Sequence, residues 1–523
     1  MGSRSGQDAV CERRCSIKWT IQCPGRLTEH SVDRKRVRLM EYEAVIGMEV
    51  HAQLSTKSKM FCGCSARTID ERPNSVVCPV CLGMPGVLPV INRRAIEYSF
   101  MIALALDCKL SEGKIWFDRK NYFYPDLPKS YQISQHSSVV GRDGCLVIQI
   151  NDTQKEIGIS DVHVEEDTAR LYHRDNGEGR RSLVDFNRSG VPLLEIVSKP
   201  DMRSPAEAKA YLRELRKLLR YMDVSTGDLE AGSFRCEANI SLRPRGAEKL
   251  GNRVEIKNMN TFQAVEHALL SEIERQTEIL NAGGTIQQQT VGWRDELERT
   301  QPQRIKEEAH DYRYFPEPDL PPLVITQAWI EELRSRLTEL PLAKKERFVS
   351  EYGLPPYDAV LLTEDPAVAD YFEESVGHFP EAKVVSNWIT GELFRLLNLS
   401  GAEIGAVKVS PSQLADLLGV VDSGRVNIST AKAVFDEMFA TGRSADEIIT
   451  ESDLTQISDT DELLDVVSQV VSENPDAVAD YSAGKTQALR FLVGQVMKAT
   501  RGKANPQVVS RLLSDRLSGM GQE

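Results

Sequence analysis

The sequence predicts an α+β protein: a cradle built on an antiparallel sheet, then a helical domain and a small all-α tail domain. Three observations predict it. Stretches between Glu49 and Asn258 alternate polar and apolar residues, the period of a half-buried strand. Phe315–Pro322 holds four prolines in eight residues, which precludes a regular helix and marks a boundary. Beyond it the apolar spacing becomes mostly helical. The expected units are an extension at 1–39, a cradle at 40–325, a helical domain at 326–410 and a tail at 411–523.

Residues 1–39 carry nine Lys/Arg against four Asp/Glu, with no long apolar core for a secretory signal. Acidic residues and weak amphipathicity count against a transit peptide. The expectation is a disordered extension upstream of a natural start at Met40.

The first strand, Glu49–Leu54, sets the theme. Side chains alternate across a strand, so Glu49, His51 and Gln53 share one face and Val50, Ala52 and Leu54 the other. A carboxylate beside an imidazole suits a divalent metal, although on one strand alone a solvated sheet face is the simpler account. Four further stretches repeat the pattern. Arg235, Glu237, Asn239 and Ser241 alternate with Cys236, Ala238, Ile240 and Leu242, and Arg253, Glu255 and Lys257 with Val254, Ile256 and Asn258. Leu183–Asn187 again separates polar from apolar, and Val162–Asp167 ends in a carboxylate cluster. The predicted sheet is apolar against its core, with acids for a metal and bases for phosphate on the open side.

Cys62, Cys64, Cys78 and Cys81 form two pairs separated by 13 residues. Four thiolates at this spacing suit a closed, structural Zn²⁺ knuckle at 62–81, with no position left for a catalytic water. The alternative is four buried free thiols. Cys108, Cys145 and Cys236 read as buried thiols.

Helices are expected at Asn92–Leu106 with Asn92 as cap, at Ser204–Leu219 with Pro205 in the first turn, and at Thr261–Leu280 before Asn281-Ala282-Gly283-Gly284. Later ones are expected at Glu331–Leu337, Ala343–Tyr352 and Ala367–Glu374. Near the C-terminus a helix puts Leu489, Leu492, Val493, Val496 and Met497 on one face. Net charge is −13, against a general nucleic-acid coat, but the charge is segregated: residues 436–480 hold 13 acids and one base, residues 481–523 seven bases and two acids. Ser482–Thr486 is not a phosphate-binding loop of the Walker type, because position 479 is Ala and no strand precedes it. No run approaches the roughly 20 apolar residues of a membrane span.

These segments together carry a resemblance. Tyr42–Leu54, Cys78–Gly86, Asp118–Gln135, His163–Asp167, Asp185–Pro192, Gly232–Ser241, Asp311–Asp319 and Phe491–Pro506 resemble, in order, motifs of the B-subunit family of aspartyl/glutamyl-tRNA amidotransferases. The resemblance covers the chain from Met40 onward. It implies a cytoplasmic ligase that uses ATP to phosphorylate the side-chain carboxylate of Glu-tRNA(Gln), Asp-tRNA(Asn) or both. Ammonia that a glutaminase A subunit releases from glutamine then displaces the phosphate, and a small C subunit completes a heterotrimer. Carried over, the catalytic and Mg²⁺ site falls on Glu49, His51, one or both of Glu165 and Glu166, and Glu237. His51 is a poor Mg²⁺ ligand, so a water on His51 or Mn²⁺ in its place is expected; many relatives have Asp at the position of Glu237. Arg188, Arg235 and Lys257 are the expected ATP-phosphate contacts, with surface salt bridges as the alternative. The Asp118–Gln135 run, with Lys120 and Tyr124, lies by the cradle and the ammonia path in the family. The tail resembles a YqeY-like module that grips tRNA, with Lys485, Lys498, Arg501 and Lys503 on its phosphates. Two other classes compete: a zinc-containing tRNA-binding module without catalysis, and a metal-dependent phosphodiesterase that would cleave the tRNA.

Overall fold

The computed structural model describes residues 42–520 apart from 152, 176–179, 306–311, 453, 455–459, 483–484, 501–503 and 505. The expectations for the extension at 1–39 and for Arg501 and Lys503 lie outside the described residues.

The strands are β1 (Tyr42–Gln53), β2 (Lys109–Leu110), β3 (Gly113–Ile115), β4 (Asp118–Asn121), β5 (Tyr131–Ser134), β6 (Gly141–Ile150), β7 (Thr153–Glu166) and β8 (Arg170–Asp175). They continue as β9 (Arg180–Asp185), β10 (Pro192–Ser198), β11 (Phe234–Pro244), β12 (Val254–Lys257), β13 (Gln289–Arg294), β14 (Arg299–Ile305), β15 (Phe315–Pro316) and β16 (Leu323–Ile325). Twelve form one sheet along the path β14-β13-β12-β11-β1-β10-β7-β5-β4-β15, with β6 paired to both β7 and β2. β1 is central, antiparallel to β10 on one side and to β11 on the other.

Two expectations are corrected. The sheet is not wholly antiparallel: β12 and β13 run parallel. The helix Phe262–Asn281 lies between them in sequence and returns the chain to the same end of the sheet, as a parallel connection requires. The stretch Leu183–Asn187 does not join the open face either. Its strand part belongs to β9, which pairs only with β8 in a separate hairpin, and Leu183 is exposed.

One face of the large sheet is apolar because the alternation is strict. Ile46, Val50, Ala52, Val162, Val164, Leu194, Ile196, Ala238, Ile240, Val254 and Ile256 are fully buried in one core. Four helices contribute to that core, Gln327–Ser335 through Ile330 and Leu333, and the other three start where their caps predict. Asn92 accepts from the backbone of Arg94 and Ala95 at the head of Arg93–Ala105, Ser204 from Glu207 ahead of Pro205–Tyr221, and Thr261 from Ala264 ahead of Phe262–Asn281. With helices beneath it, the sheet leaves its polar face open.

The rest of the described chain is helical. The helix expected at Glu331–Leu337 begins earlier, at Gln327, because the Thr326 side chain caps it. The boundary expected at residue 410 runs through a single core. Leu396, Val409, Leu414 and Leu418 pack in one cluster with Phe348, Val434 and Ile448. A separate core holds Leu463, Val467, Leu492, Val496, Val509 and Leu513. It includes the helix Pro506–Met520, which the sequence pattern did not predict. Arg220 to Asp365 (2.6 Å) and the Tyr221 hydroxyl to the Thr363 carbonyl (2.9 Å) tie the helical part to the cradle.

Candidate metal centre on the open sheet face

Register across four strands builds the site. His163 on β7 faces Glu195 on β10, Glu195 faces His51 on β1, and His51 faces Arg235 on β11. One step along β1, Glu49 faces Glu237. Alternation turns all of these side chains to the open face.

Three residues converge. His51, Glu165 and Glu195 each offer a ligand atom, all within 4.8 Å of one another. His51 Nε2 lies 3.4 Å from Glu195 Oε2 and 3.8 Å from Glu165 Oε1. His163 stands behind Glu195: its Nε2 is 2.9 Å from Glu195 Oε2 and its Nδ1 is 3.0 Å from Asp161 Oδ1.

The electrostatics follow from burial of unlike charges. Burial alone would raise the Glu195 carboxyl, but His163 and His51 outweigh it and hold Glu195 well below the usual carboxylate range. Burial would lower both imidazoles, yet Glu195 and the acids around it push His51 up to about 9 and His163 up to about 10. Burial, with Glu195, raises Glu165. Burial, with Glu195 and Glu237, raises Glu49, whose Oε1 accepts from Asn239 Nδ2 at 2.6 Å. A set of carboxylate oxygens fits a hard divalent cation such as Mg²⁺ or Mn²⁺, the one imidazole favours Mn²⁺, and the set holds no thiolate for a soft ion.

Sequence reasoning missed Glu195, His163 and Asp161. Glu195 is a lone acid in the apolar run Pro192–Ser198, which reads as a fully buried strand. The available signal was alternation, which sets Glu195 apart from Leu194 and Ile196.

Glu166 does not join the others, which corrects its place in the expected metal set. It follows Glu165 on β7 and so points to the opposite side. There its carboxylate pairs with Lys129 and accepts from the backbone N–H of Ile133 at 2.9 Å. The expected phosphate contacts are engaged inside the protein. Lys257 binds Glu237 at 2.6 Å and Glu255 at 3.0 Å. Arg235 binds Asp167 Oδ1 at 2.9 Å, and Arg188 lies 3.5 Å from Asp167 Oδ2 and donates to the carbonyls of Thr168 and Ala169.

Asp167 is a fourth missed residue. It is buried, takes both arginines and also accepts from Gln53 Nε2 at 2.7 Å. Burial would raise its carboxyl; Arg235 and Arg188 outweigh burial and hold it low. Asp167→Asn is expected to cost about 3 kcal/mol, because two half-buried guanidinium groups lose their buried counter-charge; denaturant unfolding measures it. A depressed carboxyl stabilises the fold above its ordinary pKa of about 4 and loses that contribution as pH falls through the lower folded value. The parent is therefore expected to lose part of its stability below about pH 4, and the variant to show a flatter acid limb.

The second cluster is sulfur-only. Sγ atoms of Cys62, Cys64, Cys78 and Cys81 lie within 4.8 Å of one another, with Cys78 and Cys81 at 3.9 Å. A tetrahedral Zn²⁺ with Zn–S of about 2.3 Å needs S–S separations of about 3.8 Å. Fully buried Lys59 sits 3.6 Å from Cys81 Sγ, a cation beside an anionic thiolate set. Hydrogen bonding from Cys62, helped by the Cys78 N–H and Lys59 and opposed by burial, holds the Cys81 thiol down to about 4. Gly83 lets the knuckle dock: its φ is +64°, and a Cβ there would lie 2.3 Å from Lys129 Cγ. Gly83→Ala is expected to destabilise the chain by about 2 kcal/mol, read from its thermal midpoint. Of the other thiols, Cys108 and Cys236 are buried; Cys145 is only half-buried, which corrects its expected burial.

In the tail, Lys485 and Lys498 are exposed, and Lys485 pairs with Asp480 at 2.8 Å. Among the described residues no helix is long and apolar enough to cross a membrane.

An open acid-and-imidazole face on a helix-backed sheet, followed by helical units, defines an α+β cradle protein. Comparison with known families places it more narrowly. Residues 44–331 match the GatB/GatE catalytic domain and residues 370–517 the GatB domain. The chain is 54% identical over 478 residues to the B subunit of the aspartyl/glutamyl-tRNA(Asn/Gln) amidotransferase of Moorella thermoacetica, covering 91% of this chain and 100% of that protein. It is 51% identical over 490 residues to the protein of the same name from Dehalococcoides mccartyi strain CBDB1, covering 92% and 99%. The chain belongs to the GatB family of amidotransferase B subunits.

Proposed function

We propose that this chain is the amide-forming subunit of a multi-subunit, ATP-dependent tRNA amidotransferase, acting on Glu-tRNA(Gln), Asp-tRNA(Asn) or both. The observation that carries the reading is the convergence of His51, Glu165 and Glu195 on one point of the open face. A carboxylate resists ammonia because oxide is a poor leaving group. Its oxygen therefore attacks the terminal phosphorus of ATP, the bond from that phosphorus to the bridging oxygen breaks, and ADP leaves. Ammonia then attacks the carbonyl carbon of the acyl phosphate, the C–O bond breaks, inorganic phosphate departs and the nitrogen loses a proton. A divalent cation on His51, Glu165 and Glu195 would neutralise phosphate oxygens during the first step. Asp161 orients His163, and His163 orients Glu195. Glu49 and Glu237 complete the catalytic face beside them, and Lys257 holds Glu237 in place. Zn²⁺ in the four-cysteine knuckle is structural. A glutaminase A subunit supplies ammonia, a small C subunit completes the heterotrimer, and Lys485, Lys498, Arg501 and Lys503 face the tRNA backbone.

The test incubates the reconstituted complex with mischarged tRNA, ATP and glutamine and identifies the esterified amino acid. Glutaminyl- or asparaginyl-tRNA is the expected product. Unaltered mischarged tRNA overturns the reading, and cleaved tRNA replaces it with the phosphodiesterase alternative. Glu237→Ala is expected to suppress amidation by roughly 10²-fold while glutamine hydrolysis by the partner continues; full amidation by this variant removes Glu237 from the site.

A further inference from the structure

We propose that a row of aromatic rings, Tyr122, Tyr312, Tyr314 and His136, stacks the bases of the unpaired 3′ end of the tRNA that carries the amino acid. The inference rests on the amidation reading and gives its RNA substrate a place. The rings touch in sequence. Tyr122 meets Tyr312 edge to face with centroids 6.0 Å apart, Tyr312 meets Tyr314 at 5.9 Å, and Tyr314 stacks on His136 at 4.0 Å with 10° between the planes. Tyr122 follows β4, His136 follows β5, and the other two precede β15, so three paired strands bring the row together. One end of it reaches the chemistry: Tyr314 and His136 share the wall of a cavity of about 500 Å³ with Glu195 and His163. An amino acid esterified to the terminal ribose reaches the cluster only if that ribose lies within a side chain's length of it. The last bases of the RNA must then lie along this wall.

Local structure sets the rings in advance. Arg313, between two of the tyrosines, has a φ of +46°, a left-handed backbone that a residue other than glycine adopts at a cost. Asn121 holds it there: its N–H donates to the Tyr312 carbonyl at 3.0 Å, and its Nδ2 donates to the carbonyls of Tyr312 at 3.3 Å and Arg313 at 2.9 Å. The strain is maintained where it keeps two rings in fixed positions beside the cavity.

Chemistry selects the ligand. The three tyrosines are half-buried and His136 is exposed, so the row is an open edge of rings and not part of a core. Burial raises the Tyr122 and Tyr314 hydroxyls, so both rings stay neutral beside a polyanion. The neighbouring rings are already used: Arg119 covers Tyr131 at 4.3 Å and Phe315 at 5.8 Å and is tied to Glu317 at 2.7 Å. Every nucleobase has a flat π-face, and aromatic rows take successive unpaired bases without reading their sequence. A paired stem hides those faces, so the row suits an unpaired end.

The test irradiates the reconstituted complex with tRNA carrying 8-azidoadenosine at its 3′ end. Crosslinks are expected in the peptides 131–137 or 312–316; crosslinks found only elsewhere overturn the proposal. Steady-state amidation gives a second reading. Tyr314→Leu and His136→Ala are each expected to raise KM for mischarged tRNA by ~10-fold or more, with a much smaller change in kcat. Tyr314→Phe, which keeps the ring, should recover most of that loss. A short RNA with the sequence of the unpaired end should inhibit the parent and lose potency against both ring-deleted variants. Unaltered KM for tRNA in both overturns the proposal. So does a rise in KM for ATP alone, which would make the rings a seat for a free nucleotide. Loss of the assembled complex on gel filtration overturns it too, since the rings would then be a contact for a partner subunit. If Tyr314→Leu fails to fold, His136→Ala decides alone, since its side chain is exposed. Failure of the amidation reading looks different: the parent then makes no amide product, whereas the crosslink needs no turnover.

Discussion

Glu195→Gln is expected to abolish amide formation, by roughly 10²–10³-fold, while the partner's glutamine hydrolysis continues. The substitution keeps the shape of the side chain and removes one charge. That charge holds three things together. It is one of the two carboxylates that converge with His51. It accepts from His163 at 2.9 Å. It also sustains both imidazolium forms, so without it His51 and His163 fall back from about 9 and about 10. Direct Mn²⁺ binding by the folded variant, followed by electron paramagnetic resonance below its melting transition, separates loss of the cation from loss of folding. A histidine ligand must be neutral to bind a metal. In the metal-free parent His51 carries a proton up to about pH 9, so cation binding releases that proton and apparent affinity climbs as pH approaches 9. Glu195→Gln should flatten this climb. Parent-like Mn²⁺ binding and amidation by Glu195→Gln would remove the proposed centre from this face.

Cys78→Ser together with Cys81→Ser is expected to lower stability by more than about 4 kcal/mol, ahead of any specific effect on the chemical step. Without a cation only the Cys81 thiol is held low, beside the buried Lys59, whereas a bound Zn²⁺ would draw all four sulfurs, which lie within 4.8 Å of one another, into one thiolate centre. In metal-bound knuckles the binding free energy is folding free energy. The loss should spread to the cradle, because the knuckle packs on Lys129 and Gly190, and Lys129 holds Glu166. Metal analysis checks the assignment: the parent should carry stoichiometric zinc and the double variant none. A chelator should reproduce the loss of stability in the parent and open the thiols to a thiol-specific reagent. Equal zinc in both proteins, or an unchanged melting midpoint, would leave the cysteines as ordinary buried thiols.

Much of this site was legible in the sequence, and the errors have physical causes. Alternation placed Glu49, His51, Glu237 and Lys257 on one side of their strands, and the structure leaves each half-buried there. The knuckle was legible because its ligands lie close along the chain. Glu165 and Glu166 could not be separated without knowing that β7 runs through Glu166, in register with β10 from Asp161 onward. Glu195 was hidden by its apolar neighbours. Arg188 and Arg235 were expected at phosphate because Asp167, their common partner, lies 21 and 68 residues away from them in the chain.

By itself the sequence determined most of the strand faces, the caps of three helices and the four-cysteine grouping. Each of these depends on atoms within a few residues of one another, where dihedral preference and alternation act directly. Only the tertiary structure decided which faces meet. Bringing His163, Glu195, His51 and Arg235 into one row requires three independent strand registers. A register slipped by one residue would turn a strand's acids into the core, so burial of the apolar face beneath is what selects the arrangement of charges above it.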